Sequence, residues 1–110
     1  MKIIRYQEQP IKETPHKLDV REMYNKESAQ AMLMALKPGE SLKPNKTPVD
    51  VFFFIVEGKA TIHVGDESEV CEVDTLIESP ANIVHYICNE SESLARILVV
   101  KAPGPVSLSK

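Results

Sequence analysis

The chain is expected to be all-β, an antiparallel sandwich or barrel, and three observations predict it. Gly and Pro break the sequence at short, near-regular intervals: Pro38-Gly39, Pro44, Pro48, Gly58, Gly65-Asp66, Pro80 and Pro103-Gly104-Pro105. Between the breaks lie runs of about 5–9 residues, several of them alternating or rich in β-branched and aromatic side chains, which is the pattern of strands closed by turns. The length of 110 residues fits one core, since domains cluster near ~100–150 residues. Many short strands at even spacing describe a sandwich or barrel rather than a layered α/β fold.

The elements follow in order. His16-Lys17-Leu18-Asp19-Val20 alternates and is expected to be an edge strand in an N-terminal extension over residues 1–28. Ser28–Lys37 (SAQAMLMALK) is rich in good helix formers, yet it alternates loosely and runs directly into Pro38-Gly39. Asp50–Val56 (DVFFFIV) is too short for a buried helix and is closed by Gly58. Its Val51, Phe53 and Ile55 should face the interior while Phe52, Phe54 and Val56 face the other way. With both faces apolar, the strand should be covered on both sides. Lys59–Val64 alternates into Gly65-Asp66, a hairpin signal. Ser68–Val73, Thr75–Glu78, Ile83–Cys88 and Leu94–Lys101 complete the strand set. Hydrophobic matching favours a three-residue hairpin loop, Gly65-Asp66-Glu67, setting Ile62 against Val70 and His63 against Glu69. The main domain is expected over 29–101, followed by a Pro/Gly-bearing tail over 102–110.

Composition narrows the function. Hydrophobic residues make up 43% and charged residues 26%, ordinary values for a chain that buries a core. Thirteen Lys and Arg against sixteen Asp and Glu give a net charge of −3, which argues against a nucleic-acid partner. No apolar run approaches the ~20 residues of a membrane span, and the N-terminus lacks a signal-peptide core. A cytoplasmic protein without a membrane partner is therefore the expectation. Cys71 and Cys88 lie too far apart for a zinc signature and are expected to be free thiols. The three histidines are His16, His63 and His85. Any metal or catalytic site is tightly bounded by that supply.

Two segments go further. From Gly39 the chain reads G-ESLKP-N-K-T-PVD-V-FFFIVE-G, ending at Gly58. From Asp74 it reads D-TLIES-P-A-N-IV-H-YIC-N, ending at Asn89. These resemble the two signature motifs of the cupin family, the first built as Gly, five residues, His-x-His, three or four residues, Glu, six residues, Gly. The second is Gly, five residues, Pro-x-Gly, two residues, His, three residues, Asn. The resemblance implies an antiparallel double-stranded jelly-roll barrel over most of the chain, and it assigns Ser28–Lys37 to a strand. It also implies a homodimer.

In the family, the motif histidines and glutamate hold a divalent metal. Here Asn45 and Thr47 stand in the histidine places, Val51 stands in the glutamate place, and only His85 keeps a ligand position. One imidazole is a poor cage for a transition metal, which generally takes three protein ligands at a catalytic site. No metal site and no cofactor are therefore expected. The expected role is a cupin that binds a small apolar or carboxylate-bearing molecule in the barrel, with His85, Asn45, Thr47, Val51 and Phe53 around it. His85 is the sole catalytic candidate, because an imidazole titrating near neutrality can transfer protons. The alternatives are a divergent isomerase, lyase or dioxygenase using His85 with a divalent metal, and a structural dimer module with a filled interior.

Overall fold

The computed structural model describes residues 1–12 and 18–104. After a single 3-10 turn at Tyr6–Glu8 come nine strands: β1 (Asp19–Asn25), β2 (Gln30–Leu36), β3 (Asn45–Lys46), β4 (Asp50–Glu57), β5 (Lys59–Val64), β6 (Glu67–Glu72), β7 (Leu76–Ser79), β8 (Val84–Cys88) and β9 (Ala95–Ala102). They form a five-stranded sheet, β1-β2-β9-β4-β7, and a four-stranded sheet, β3-β8-β5-β6. All pairings are antiparallel. The two sheets form a jelly-roll sandwich and do not close into a single barrel.

The Ala/Met/Leu-rich segment is a strand. Tertiary context overrides its helix propensity: β2 is central between β1 and β9, and alternation sends Met34 and Leu36 into the core. An edge strand, β1, lies at the margin of the large sheet but runs over Asp19–Asn25, sharing only Asp19 and Val20 with the expected His16–Val20; His16 and Lys17 fall outside the described residues. Alternation of β4 is as read from sequence. Val51, Phe53 and Ile55 are buried, whereas Phe52 and Phe54 are half-buried and Val56 is exposed.

The hairpin between β5 and β6 differs from the expectation. Its loop has two residues, Gly65 and Asp66, and pairs Val64 with Glu67, His63 with Ser68 and Ile62 with Glu69. Gly65 has φ +59° while Asp66 is not left-handed, the pattern of a type II′ turn with Gly in its first central position. Turn geometry wins because β6 is an edge strand whose Glu67, Ser68, Glu69 and Val70 are all exposed. Hydrophobic matching has little force over this exposed stretch, since only Cys71 of β6 reaches the core. His63, on the outward face of β5 by alternation, pairs with Ser68 and stacks on Tyr86 at 4.0 Å rather than meeting Glu69.

Cross-strand register arranges the interior of the large sheet in rows. At one end Gln30 pairs with Lys101, Lys101 with Val51, and Val51 with Ser79. The next row inward is Met32, Val99, Phe53 and Ile77, followed by Met34, Ile97 and Ile55. Opposite the outermost row, β3 and β8 set Asn45 beside His85. The sandwich is thus polar at one mouth and apolar immediately below it.

Candidate functional site

The mouth opens into a cavity of about 230 Å³ between the sheets. Its polar and charged walls are Lys12, Gln30, Lys43, Asn45, His85 and Lys101. Its apolar surface is supplied by Val20, Met32, Met34, Leu42, Phe53 and Val99. A few converging polar groups over an apolar floor is the usual make-up of a small-molecule site.

His85 is held from two sides. Its Nδ1 shares a 3.0 Å hydrogen bond with the Ser79 hydroxyl, and the Phe53 ring meets the imidazole edge-on at 5.3 Å. The side chain is buried, and burial holds its pKa below the ordinary histidine value, with the Lys101 charge adding to the effect. His85 is therefore a neutral imidazole near pH 7. Nε2 has no hydrogen-bond partner among the described residues, and it is the ring nitrogen left for a cavity occupant.

Burial of this imidazole makes stability depend on pH. Because the folded-state pKa lies below that of the unfolded chain, the unfolded chain binds a proton more readily. Stability from this residue is complete above ~6.5, the unperturbed value, declines as pH falls from there toward the folded pKa, and is constant below it. Tm measured against pH is expected to fall in that window for the native chain. It should stay flat there for His85→Gln, and a native profile without that fall contradicts the buried-neutral assignment.

The other expected site residues divide. Asn45 and Phe53 line the cavity with His85. Thr47 does not: it is buried, and its hydroxyl donates to the Val49 carbonyl at 3.1 Å. The adjoining loop docks there as well, with the Asn82 amide donating to the Thr47 carbonyl at 2.7 Å and the Ala81 amide donating to Asp50 Oδ1 at 2.9 Å. Val51 is buried between Lys101 and Ser79 and stands behind the cavity wall. Cys88 lies on the face away from His85, against the Ser41 hydroxyl at 3.1 Å.

Sequence reasoning missed Lys101, Gln30 and Lys12. For the first two the signal was present: the alternation that sends Ile97 and Val99 inward also sends Lys101 inward, and the alternation of Met32 and Met34 does the same for Gln30. Burial lowers the Lys101 pKa from the ordinary lysine value, and the neighbouring Lys12 charge lowers it further. Lys12 meets Glu22 at 3.3 Å, and Gln30 Nε2 donates to the same Glu22 oxygen at 3.0 Å.

A divalent metal fits this site poorly. The four positions of the resemblance hold an exposed amide, a hydroxyl already donating to a backbone carbonyl, an aliphatic side chain and one imidazole. Among the described residues no three His, Cys, Asp or Glu side chains cluster as a metal site would require. An ammonium group in the same cavity wall adds repulsion to any cation.

A wider depression of about 740 Å³ lies elsewhere, around Tyr6, Arg21 and Arg96. Its groups are engaged with one another. Tyr6 donates to Asp19 at 2.9 Å, Arg21 pairs with Asp19 at 2.9 Å, and both guanidinium groups stand over the Tyr6 ring at 4.2 and 4.8 Å. This cluster fastens the N-terminal segment to the large sheet. No helix among the described residues is long and apolar enough to cross a membrane.

Comparison with known proteins bears on the fold and the family. The family model described as "Cupin domain" matches residues 32–101. The chain superimposes on TT1209 from Thermus thermophilus with a TM-score of 0.80 and 29% identity, covering 94% of this chain and 98% of that one. An RmlC-like cupin with a double-stranded β-helix fold from Methanocaldococcus jannaschii gives a TM-score of 0.77 at 23% identity, covering 93% and 94%. A predicted oxalate decarboxylase from Thermotoga maritima gives 0.83 at 15% identity, covering 93% and 99%. No curated protein matches the chain.

Proposed function

The chain belongs to the cupin family, and we propose that it is a binding member of it, taking a small organic molecule into the cavity beneath His85 without a metal. The observation that supports this most is the make-up of that cavity. The positions where the family places metal ligands offer one imidazole, while the wall gains three lysines and an apolar floor. A ligand site remains where a metal cage is absent. Asn45 and the Nε2 nitrogen of His85 are the neutral polar anchors, and Phe53, Met32 and Val99 supply apolar contact.

A catalytic role for His85 has less support. The imidazole has a neutral, basic nitrogen in the cavity, but Ser79 is a hydrogen-bond partner rather than an activated nucleophile in any triad. Among the described residues no carboxylate lines the cavity to act as a second acid or base. A lone base is a thin catalytic set.

The test is elemental analysis of chain purified without a histidine tag. The expected result is iron, manganese, nickel and zinc all well below one per chain, with no change in Tm on adding each ion. Stoichiometric metal that survives dialysis, or an ion that raises Tm substantially, would overturn the metal-free reading.

A further inference from the structure

Resting on the reading of this cavity as a small-molecule site, we propose that its ligand is a small organic monocarboxylate with a short apolar tail, whose carboxylate is held by Lys101 between Gln30 and His85. The charge pattern is the first support. The chain as a whole is acidic, with net charge −3, yet among the described residues the titratable side chains lining the cavity are Lys12, Lys43, Lys101 and His85, with no Asp or Glu. Lys12 is offset by Glu22 just outside the lining, so the attraction of the cavity for an anion rests on Lys101.

Lys101 is the sharpest feature. Register places it on the inner face beside Gln30 and Val51, directly above Val99 and Phe53. Its ammonium group has no ion pair or hydrogen bond to another described residue. The nearest carboxylate of the network, Glu22, already accepts from both Lys12 and Gln30. A half-buried cation with no counter-ion among the described residues is costly, and an incoming anion relieves that cost. Burial and the Lys12 charge both depress the Lys101 pKa, so this amine gains more from an anion than an exposed lysine would.

The rest of the cavity separates a carboxylate with a tail from other anions. Met32, Met34, Phe53 and Val99 make a floor that an inorganic ion would leave unfilled. Among the described residues the lining has neither an arginine fork nor a glycine, the features that suit phosphate groups. A volume near 230 Å³ lies below the ~300–1,000 Å³ of pockets that take drug-sized ligands. The ligand is thus a short-chain acid.

The probes are hexanoate, hexanamide and inorganic phosphate, titrated calorimetrically into the full chain. Hexanoate is expected to bind, with hexanamide and phosphate each weaker by about tenfold or more. Lys101→Met is expected to weaken hexanoate by roughly 10- to 100-fold, the value of a charge-assisted hydrogen bond, and to leave hexanamide unchanged. Lys101→Arg should retain hexanoate binding, and Lys101→Gln, with a polar side chain, checks the loss independently of the Met packing. Equal affinity for hexanoate and hexanamide that survives Lys101→Met overturns the carboxylate assignment while the cavity remains a binding site. Phosphate binding as tightly as hexanoate overturns the apolar-tail part. Failure of all three probes to bind overturns this proposal together with the binding reading beneath it.

Discussion

Phe53→Ala is expected to lower the stability of the chain by about 3–5 kcal/mol, the usual cost of deleting a buried aromatic ring. Phe53 is 1% exposed and stands in the row between Val99 and Ile77. Removing the ring loses its transfer free energy and leaves a void that the two sheets cannot collapse into without shifting their registers. The edge-on contact with His85 at 5.3 Å disappears too, which frees the imidazole to rotate away from Ser79. For a domain of this size each kcal/mol is worth roughly 4–8 °C of Tm, so thermal unfolding reads the effect directly. The same void adjoins the cavity floor. Octanoate should therefore gain on hexanoate in any Phe53→Ala chain that remains folded, and an unchanged preference would show that Phe53 does not bound the site.

Gly58→Ala is expected to be comparably severe for a different reason. Gly58 has φ +73°, and a methyl group there would run into the Leu94 carbonyl oxygen, with Leu94 C and Ala95 Cα each at 3.2 Å. Left-handed backbone costs an L-residue ~1–2 kcal/mol. Moving main-chain atoms at the start of β9 adds to that, for a total of about 3 kcal/mol or more. Gly39→Ala is the internal control: φ is +86°, but nothing lies within 4 Å of the added carbon. Its loss should be confined to the backbone cost of ~1–2 kcal/mol. Chemical denaturation of both variants separates the two contributions, and equal losses would contradict the close-approach argument at Gly58.

These glycines explain why the fold was so legible in the sequence. The surviving motif residues are the ones the backbone needs. Gly39 and Gly58 take left-handed φ, and Asp74 and Asn82, standing where the family motif has glycine, take φ of +69° and +65°. Asp and Asn are among the few residues that tolerate that region. Asn89, the last motif residue, is 1% exposed. Its Nδ2 donates to the Leu36 and Ser93 carbonyls at 2.8 Å each, and its Oδ1 accepts from the Ser91 amide and hydroxyl. Its backbone exchanges hydrogen bonds with Gly39 and Glu40, joining the end of one motif to the start of the other. These motif residues thus serve the backbone as structural devices.

The site was legible only in part. Motif spacing located His85 and Asn45, and β4 alternation located Phe53. It could not foresee that Thr47 turns its hydroxyl to Val49, because that depends on a loop contact between distant segments. Lys101 stands at the end of its strand, where alternation alone does not distinguish a solvated lysine from one turned into the cavity. Its importance appears only when register sets it beside Gln30 and across the mouth from His85. The β5–β6 register is not set by side-chain matching, which decides register only where both strands are covered, and Glu67–Val70 of β6 are exposed.

The central claim is that this cavity binds an organic anion through the chain's own side chains. It is tested most directly by titrating hexanoate into protein dialysed against EDTA, and repeating the titration after adding iron, manganese, nickel or zinc. The expected result is the same affinity in every case and its loss in Lys101→Met. Binding that vanishes in EDTA and returns with one metal would contradict it.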